Sequence, residues 1–352
     1  MPKYIHTVVL WLFASLLAGC GGSGDDIASA GGPVLVDLSI SVSLADVSLP
    51  GTRAAADALP AGNNEKMHTL RIIVVRPDGT VEANRLVRLA VAADHREERF
   101  KVLGNETKRV YLFANEETTL AAPGETRRKV VDYDLSSISE GSTFPAAEIS
   151  ALTIRLDHDC EQLTGPLPMS ECHDISVGDA DSSHRLFITR AAVKFSFRIT
   201  NNSGRPINLT GLTISRMARA EYLMPRDAVY RETEIDGVPC REIVSYSIPA
   251  GAGDYDYGKD SLLTVGLPVG VTTTLDPIYL LEGKYEDDAD PRNYSMAIYY
   301  DGMSLGEYFP ALATLPRNTH VIVNITIGHT GAVWLADVLP YIPVPLDPVF
   351  GL

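Results

Sequence analysis

The chain has 352 residues, a formal net charge of −15 and many glycines and prolines. The length allows two ordinary domains with ample buried core, and the frequent turn-forming residues favour short strands over long helices. The acidic balance suits solubility outside the cell. It also argues against nucleic-acid binding, which needs a basic surface, so no nucleic-acid partner is expected.

Residues 1–19 have the pattern of a signal peptide. Lys3 precedes an apolar stretch that is too short for an ordinary membrane span, and small residues lead up to Cys20. The sequence Leu-Ala-Gly-Cys at residues 17–20 resembles the bacterial lipobox, which implies that Cys20 is acylated, for example with palmitate, and becomes the mature N-terminus. A plain secretion signal with a chance cysteine is the alternative. Residues 20–33 are predicted to be a flexible tether.

Residues 34–53 begin with a strand of regular alternation. Its apolar face consists of Val34, Val36, Leu38, Ile40, Val42 and Leu44. This period of two predicts one buried and one solvent-exposed face, and it excludes an amphipathic helix. The segment is either the ordinary first strand of a sandwich or a detachable leader strand. Proteolysis concentrates in open loops such as the one that follows, so a trypsin-like cut between Arg53 and Ala54 would free the strand.

The remaining sequence predicts an all-β fold. Alternating strands are clearest at residues 70–75, 110–114, 193–200 and 321–327, and turn residues separate them. They predict two sandwich-like domains at residues 54–188 and 189–352. Residues 94–101 are predicted to be a helical turn or a loop, and residues 157–183 and 251–260 to be irregular.

Residues 334–352 form a proline-rich tail, which ends the second predicted domain. Proline lacks the backbone N–H group, so the tail is not expected to be a strand paired on both edges throughout. Ile342, Val344 and Leu346 share one parity, whereas Pro343 and Pro345 share the other. An extended segment paired mainly on one edge is therefore favoured over an unattached terminus.

These motifs together resemble the fimbrillin family of Bacteroidales, the type V pilus subunits. The resemblance is carried by the lipobox and by GTRA at residues 51–54, LRIIVVRPDG at 70–79, VYLFANE at 110–116, RAAVKF at 190–195, YLLE at 279–282 and LPRNTH at 315–320. It implies two tandem transthyretin-like Greek-key β-sandwich domains without enzymatic activity. It also implies a lipoprotein held in the outer membrane through Cys20, cleavage after Arg53 by an arginine-specific protease, and assembly with other fimbrial subunits by strand exchange.

Cys160 and Cys172 are predicted to form a disulfide, because they are close in sequence in an exported protein. With His158 and His173 they make an alternative zinc set, but the spacing is not that of a familiar site. Cys240 is then left over and is predicted to be a buried thiol. No metal and no cofactor is therefore predicted here.

Two acidic stretches are calcium candidates without EF-hand spacing, namely Asp254, Asp256 and Asp260, and Glu286, Asp287, Asp288 and Asp290. Solvated loops are the commoner explanation. The chain has no nucleophile elbow, zinc-protease helix or phosphate loop, so an enzyme is disfavoured. The leading prediction is a structural fimbrial subunit at the cell surface that supports adhesion to host or bacterial ligands. The alternative is a surface glycan-binding outer-membrane lipoprotein, although its usual aromatic platform could use only Trp334 outside the signal peptide.

Overall fold

The computed structural model describes residues 34–45, 62–235, 238–259, 263–284, 294–308 and 314–340. Within these ranges the protein is built almost entirely of strands, so the all-β prediction is confirmed. The described residues include one short α-helix, α1 (Ala146–Ala151), and two 3₁₀ turns, Asn63–Glu65 and Leu135–Ser137. No described helix has the length and apolar character that a membrane crossing requires.

The described part of the first half contains eleven strands. They are β1 (Leu35–Leu44), β2 (Met67–Val75), β3 (Val81–Ala93), β4 (His95–Leu103), β5 (Glu106–Ala114), β6 (Thr119–Ala121), β7 (Arg128–Lys129), β8 (Thr153–Arg155), β9 (Gln162–Thr164), β10 (Met169–Val177) and β11 (Ser182–Arg190). Seven of them form one sheet in the order β3-β2-β5-β10-β11-β1-β4, and β7, β6 and β9 form a small separate sheet.

The second half supplies the other described strands. They are β12 (Val193–Asn201), β13 (Ile207–Ala218), β14 (Ala220–Tyr222), β15 (Val229–Ile235), β16 (Val238–Ser245), β17 (Asp254–Lys259), β18 (Val265–Leu267), β19 (Thr272–Thr274), β20 (Ile278–Leu280), β21 (Gly283–Lys284), β22 (Ser295–Tyr300), β23 (Met303–Tyr308), β24 (Thr314–Leu315), β25 (Thr319–Ile327) and β26 (Ala332–Pro340). One sheet centres on β12 and β25, which pair in parallel, and another centres on β13.

The seven-stranded sheet curls until its two edges meet. Arg85 on β3 donates to the carbonyl of Arg99 on β4 at 2.8 Å, and its guanidinium lies over the ring of Phe100. The concave side encloses a core to which every strand of the sheet contributes aliphatic residues and β4 also contributes Phe100. This core gives the first half an interior of its own, which β1 helps to fill.

The two halves also pack against each other. A second, larger core cluster contains Phe113 from β5 together with Phe195 and Phe197 from β12. In addition, β8 pairs with β14, which lies beyond the predicted boundary at residue 189. The division into residues 54–188 and 189–352 therefore stays a prediction, although β11 and β12 on either side of it belong to different sheets.

Residues 94–101 and 157–183 were predicted wrongly, because they contain β4 and β10. The first five residues of β4 are polar and face solvent or are half-buried, so backbone pairing with β1 defines the strand more than side-chain alternation does. In β10 the polar residues Ser170 and Glu171 are buried beside Met169, which hides the expected pattern. The predicted loop at 251–260 is also wrong, because β17 buries Tyr255 and Tyr257 and exposes Asp254 and Asp256.

A pair of glycine substitutions tests the packing of the second half. Gly258 has φ +82°, and an added Cβ would lie 1.9 Å from the carbonyl oxygen of Leu212. Gly79 has φ +84° with no atom within 4 Å of that position. We expect Gly258→Ala to lower the free energy of unfolding by about 3 kcal/mol and Gly79→Ala by roughly 1 kcal/mol, measured by urea denaturation. Equal losses would contradict the close approach of β17 to β13.

Candidate functional site

The candidate site is the channel that β1 fills in the curled sheet, here called the groove. β1 pairs in parallel with β11, from Leu38 opposite Ser182 to Leu44 opposite Ile188. On its other edge it pairs antiparallel with β4, from Leu35 opposite Leu103 onwards. β1 is therefore an interior strand, and its removal would expose the edges of both neighbours.

The inward face of β1 is apolar and deeply buried. Leu38, Ile40 and Val42 are fully buried, and Val36 and Leu44 are nearly so. Burial stabilises by about 1.5–3 kcal/mol for each such side chain, so this face is the main attachment of β1. The prediction for Val34 is wrong: it is 40% exposed and precedes the strand. Its carbonyl still accepts from the N–H of Gly104, but its side chain lies beyond the end of the core.

The outward face of β1 makes polar contacts with β4. Ser39 donates to Glu97 at 2.7 Å, and Ser43 lies 3.1 Å from Nδ1 of His95. These groups are exposed to solvent, where such contacts contribute at most about 1 kcal/mol each. The buried face and the backbone pairing, and not the outer face, hold β1 in the groove.

The proteolytic site and the lipid site of the sequence prediction lie outside the described residues. Cys20, Arg53 and Ala54 belong to this group, as does the proline-rich tail from residue 341 onwards. Arg53 falls in the segment 46–61, between the end of β1 and the 3₁₀ turn at Asn63–Glu65.

The predicted disulfide is not present, because Cys160 and Cys172 are both free. Cys160 lies in the turn before β9 and in the same core cluster as Tyr255 and Tyr257. Cys172 lies on β10 opposite Tyr111, in a different sheet from β9. Burial raises the pKa of the Cys172 thiol to about 12, so it stays protonated and unreactive at neutral pH.

The metal candidates do not converge in the part of the chain that the structure describes. No three His, Cys, Asp or Glu side chains there are placed to hold an ion. His173 of the zinc alternative instead contacts the carbonyl of Phe187 at 2.7 Å and stacks edge-on against its ring. Asp256 of the calcium alternative accepts from the backbone N–H of Arg216. Cys240 lies on β16, but its side chain is outside the described part of the structure. The buried thiol therefore stays a prediction.

A buried charged cluster, which the sequence analysis missed, links the two halves. Glu171 on β10, Glu221 on β14 and Glu282 surround the fully buried Arg317. Arg317 donates through its backbone N–H to Glu282 at 3.1 Å and through its guanidinium to the carbonyl of Leu223 at 3.0 Å. Glu282 and Arg317 stand in the YLLE and LPRNTH motifs, but nothing in the sequence indicated that these motifs meet.

Three carboxylates around one guanidinium leave an excess of buried negative charge. Burial raises the pKa of Glu171 to about 7. The hydrogen bonds that Glu171 accepts from Tyr230 and Thr189 lower its pKa, but burial has the larger effect. Burial and the neighbouring Glu282 also raise the pKa of Glu221. Part of the cluster therefore holds protons near neutral pH.

Glu171→Gln tests this protonation. The folded protein binds a proton on Glu171 more tightly than the unfolded chain does, so the free energy of unfolding falls as pH rises from the unfolded pKa towards about 7. Glutamine does not titrate, and its oxygen can still accept from Tyr230 and Thr189, which both donate to the same atom. We expect the wild type to lose roughly 2 kcal/mol relative to this variant between about pH 5 and pH 8, measured by urea denaturation.

The control for this experiment is Glu148→Gln, because Glu148 is exposed on α1. Burial lowers the pKa of His320 to about 3, which gives stability the opposite pH dependence, but this contribution is common to all three proteins. A pH dependence of the Glu171→Gln variant that parallels the wild type would contradict a raised pKa at Glu171.

A substitution in β1 tests the groove itself. We expect Ile40→Ala to lower the free energy of unfolding by about 2–5 kcal/mol, because it leaves a cavity in a fully buried position. The matched change Ser41→Ala, on the outward face, should shift it by less than about 0.5 kcal/mol. Urea denaturation of both proteins gives the comparison, and a similar effect of the two changes would contradict the orientation of β1.

Comparison with known proteins gives solved structures of the same fold. No protein-family model and no curated protein matches the chain. A protein from Parabacteroides distasonis ATCC 8503 that is named for cell adhesion superimposes with a TM-score of 0.55 at 15% identity, covering 88% of this chain and 98% of that one. The tip fimbrial protein Mfa3 from Porphyromonas gingivalis, with C-terminal truncation, gives a TM-score of 0.51 at 13% identity, covering 87% and 99%. At these identities the likeness shows a shared fold.

Proposed function

We propose that the protein is a structural subunit of a surface fimbrium of the fimbrillin type, which supports adhesion and has no catalytic role. The shared fold with a tip fimbrial protein and with a protein named for cell adhesion supports this proposal. The observation that carries it is β1, an interior strand that continues into the segment containing Arg53. A strand of this kind can be exchanged for one from another subunit.

In this proposal the precursor is exported as a lipoprotein. Acyl chains on Cys20 hold it in the outer membrane, where more than one chain is needed for stable anchoring. An arginine-specific protease then cuts between Arg53 and Ala54, and β1 leaves with the tether. A strand of a neighbouring subunit enters the groove, with main-chain bonds providing affinity and the apolar pockets providing register.

The pairing of β1 defines what a replacement strand must offer. The N–H of Leu44 donates to the backbone carbonyl of Asp94 on the β4 side at 3.0 Å. The N–H of Ala45 donates to the backbone carbonyl of Ile188 on the β11 side at 2.8 Å. The backbone groups of the residues with buried side chains therefore point towards β4. The backbone groups of the alternate, outward-facing residues point towards β11. A replacement strand that follows the path of β1 needs an apolar residue at every second position. It also needs a backbone N–H group at the inward-facing positions, for β4, and at the outward-facing positions, for β11.

The proline-rich tail meets these requirements in part. Ile342, Val344 and Leu346 have the spacing of the pockets. Pro343 and Pro345 would then occupy positions whose missing N–H groups face β11. As a donor on the path of β1, the tail would lose two bonds to β11. It would also lose a bond to β4 wherever Pro340 or Pro348, which share the parity of Ile342, entered the groove, and these losses make it a weak donor.

The alternative of a glycan-binding lipoprotein loses its main candidate for an aromatic platform. Trp334 on β26 is half-buried and packs against the larger core cluster, which both halves share. Its ring therefore contributes to the fold. Retention of the protein on a glycan affinity gel, in proportion to the glycan concentration, would favour this alternative.

Processing in the native bacterium tests the proposal. We expect the wild-type surface protein to begin at Ala54 without lipid and to form SDS-resistant, heat-labile ladders. Arg53→Ala should begin at a lipidated Cys20 and form no ladder, because β1 stays in the groove. Thr52→Ala is the control, since it alters the same segment and keeps the arginine. N-terminal sequencing and intact mass distinguish the forms, and a wild-type protein that keeps Cys20 and never forms ladders would contradict assembly by strand exchange.

A further inference from the structure

The end of β1 is held by a residue from the second half of the chain. Ala45 directly follows β1, and its carbonyl accepts a hydrogen bond from Nδ2 of Asn318. Asn318 lies between β24 and β25, has φ 62° and is only 3% exposed. This carboxamide therefore closes the groove at the end where β1 leaves it.

The orientation of the Asn318 carboxamide is fixed by a neighbouring cation. Arg190 is fully buried, and its Nη1 donates to Oδ1 of Asn318 at 2.8 Å. A guanidinium donates and does not accept, so the oxygen must face Arg190 and the NH₂ group must face Ala45. The backbone N–H of Asn318 donates to the carbonyl of Ala192 at 2.9 Å, which fixes the main chain as well.

The same cluster also holds the chain on the far side of the segment 46–61. Nε of Arg190 donates to the carbonyl of Glu65 at 2.8 Å. The buried Glu65 side chain accepts from Lys194 and from Tyr279, each at 2.6 Å. Burial alone would raise the pKa of Glu65, but Lys194 and the hydrogen bonds lower it overall, so the carboxylate stays charged. Both ends of the segment with Arg53 thus converge on Arg190 and Asn318.

We propose that Asn318 is a main-chain clamp for any strand that occupies the groove, whether β1 or a strand from a second subunit. This inference rests on the strand exchange proposed above. The clamp binds a carbonyl and not a side chain, so it does not select a sequence. It requires the strand to continue one residue beyond the pocket of Leu44, because a shorter strand leaves the buried NH₂ group without its acceptor. The partner is therefore a strand with a free main-chain carbonyl at the position of Ala45.

Labelled peptides of two lengths test the clamp. The full chain, with a specific-protease site placed in the segment 46–61, is cut and then incubated with C-terminally amidated peptides 34–44 or 34–46. The terminal amide of the shorter peptide can supply the N–H that Ala45 gives to Ile188. The peptides then differ at the carbonyl that Asn318 binds, in the small buried side chain of Ala45 and in Asp46. We expect the wild type to bind the longer peptide roughly tenfold more tightly, as the loss of a buried donor's partner implies.

Asn318→Asp should remove most of this preference and leave only what the buried Ala45 side chain contributes. Aspartate tolerates the left-handed backbone and can still accept from Arg190, but it cannot donate to the strand. Asn115→Asp is the matched control, because Asn115 has φ 57°, is 4% exposed and donates to the carbonyls of Lys66 and Leu167, away from β1. It should destabilise the fold and keep the tenfold preference.

The outcomes separate the two proposals. If Asn318→Asp keeps the preference of the wild type, the clamp is wrong and strand exchange stands. If no peptide displaces β1 from the cut wild type, strand exchange is contradicted and the clamp loses its basis. Hydrogen exchange of the uncut chain gives an independent readout: the amide of Ala45 should exchange about tenfold faster in Asn318→Asp. An unchanged rate there would overturn the clamp by itself.

Discussion

A strand inside a sheet must satisfy its backbone groups on both edges, and β1 does so between two strands that come from distant parts of the first half. β4 is reached after the β2–β3 hairpin, and β11 is the last strand before the second half begins. The curl of the sheet brings these two strands to either side of β1 and leaves a gap one strand wide. The core of the first half and the position of the groove both depend on this single gap.

The sequence was informative where one physical effect acted alone. In β1 the alternation of aliphatic and polar residues follows directly from one buried face and one solvent-facing face. The strand and its buried face could therefore be predicted from Val36 to Leu44. In β4 the backbone pairing dominates and the side chains of residues 95–99 carry little pattern. Local periodicity could not predict a strand that its partner defines.

The buried polar residues were the other limit of the sequence analysis. The sequence analysis assigned no buried role to Glu171, Glu282 or Arg317, because a single residue does not indicate which distant residue will compensate its burial. The disulfide prediction was wrong for a similar reason: closeness in sequence suggested a bridge, but Cys160 lies in the turn before β9 and Cys172 lies on β10, in a sheet that does not contain β9. The LPRNTH motif was recognised as a family resemblance, whereas its contacts with Glu282, Arg190 and Ala45 became visible only in three dimensions.

The lengthwise pairing of β1 has a mechanical consequence. Its hydrogen bonds to β4 and β11 run across the strand, and seven residues pair on the β11 side and nine on the β4 side. A pull along the axis of β1 therefore loads these bonds in shear, so that many must break together, whereas a pull across the strand would open them one after another. A strand seated in this way resists tension along its own length far better than peeling from one end.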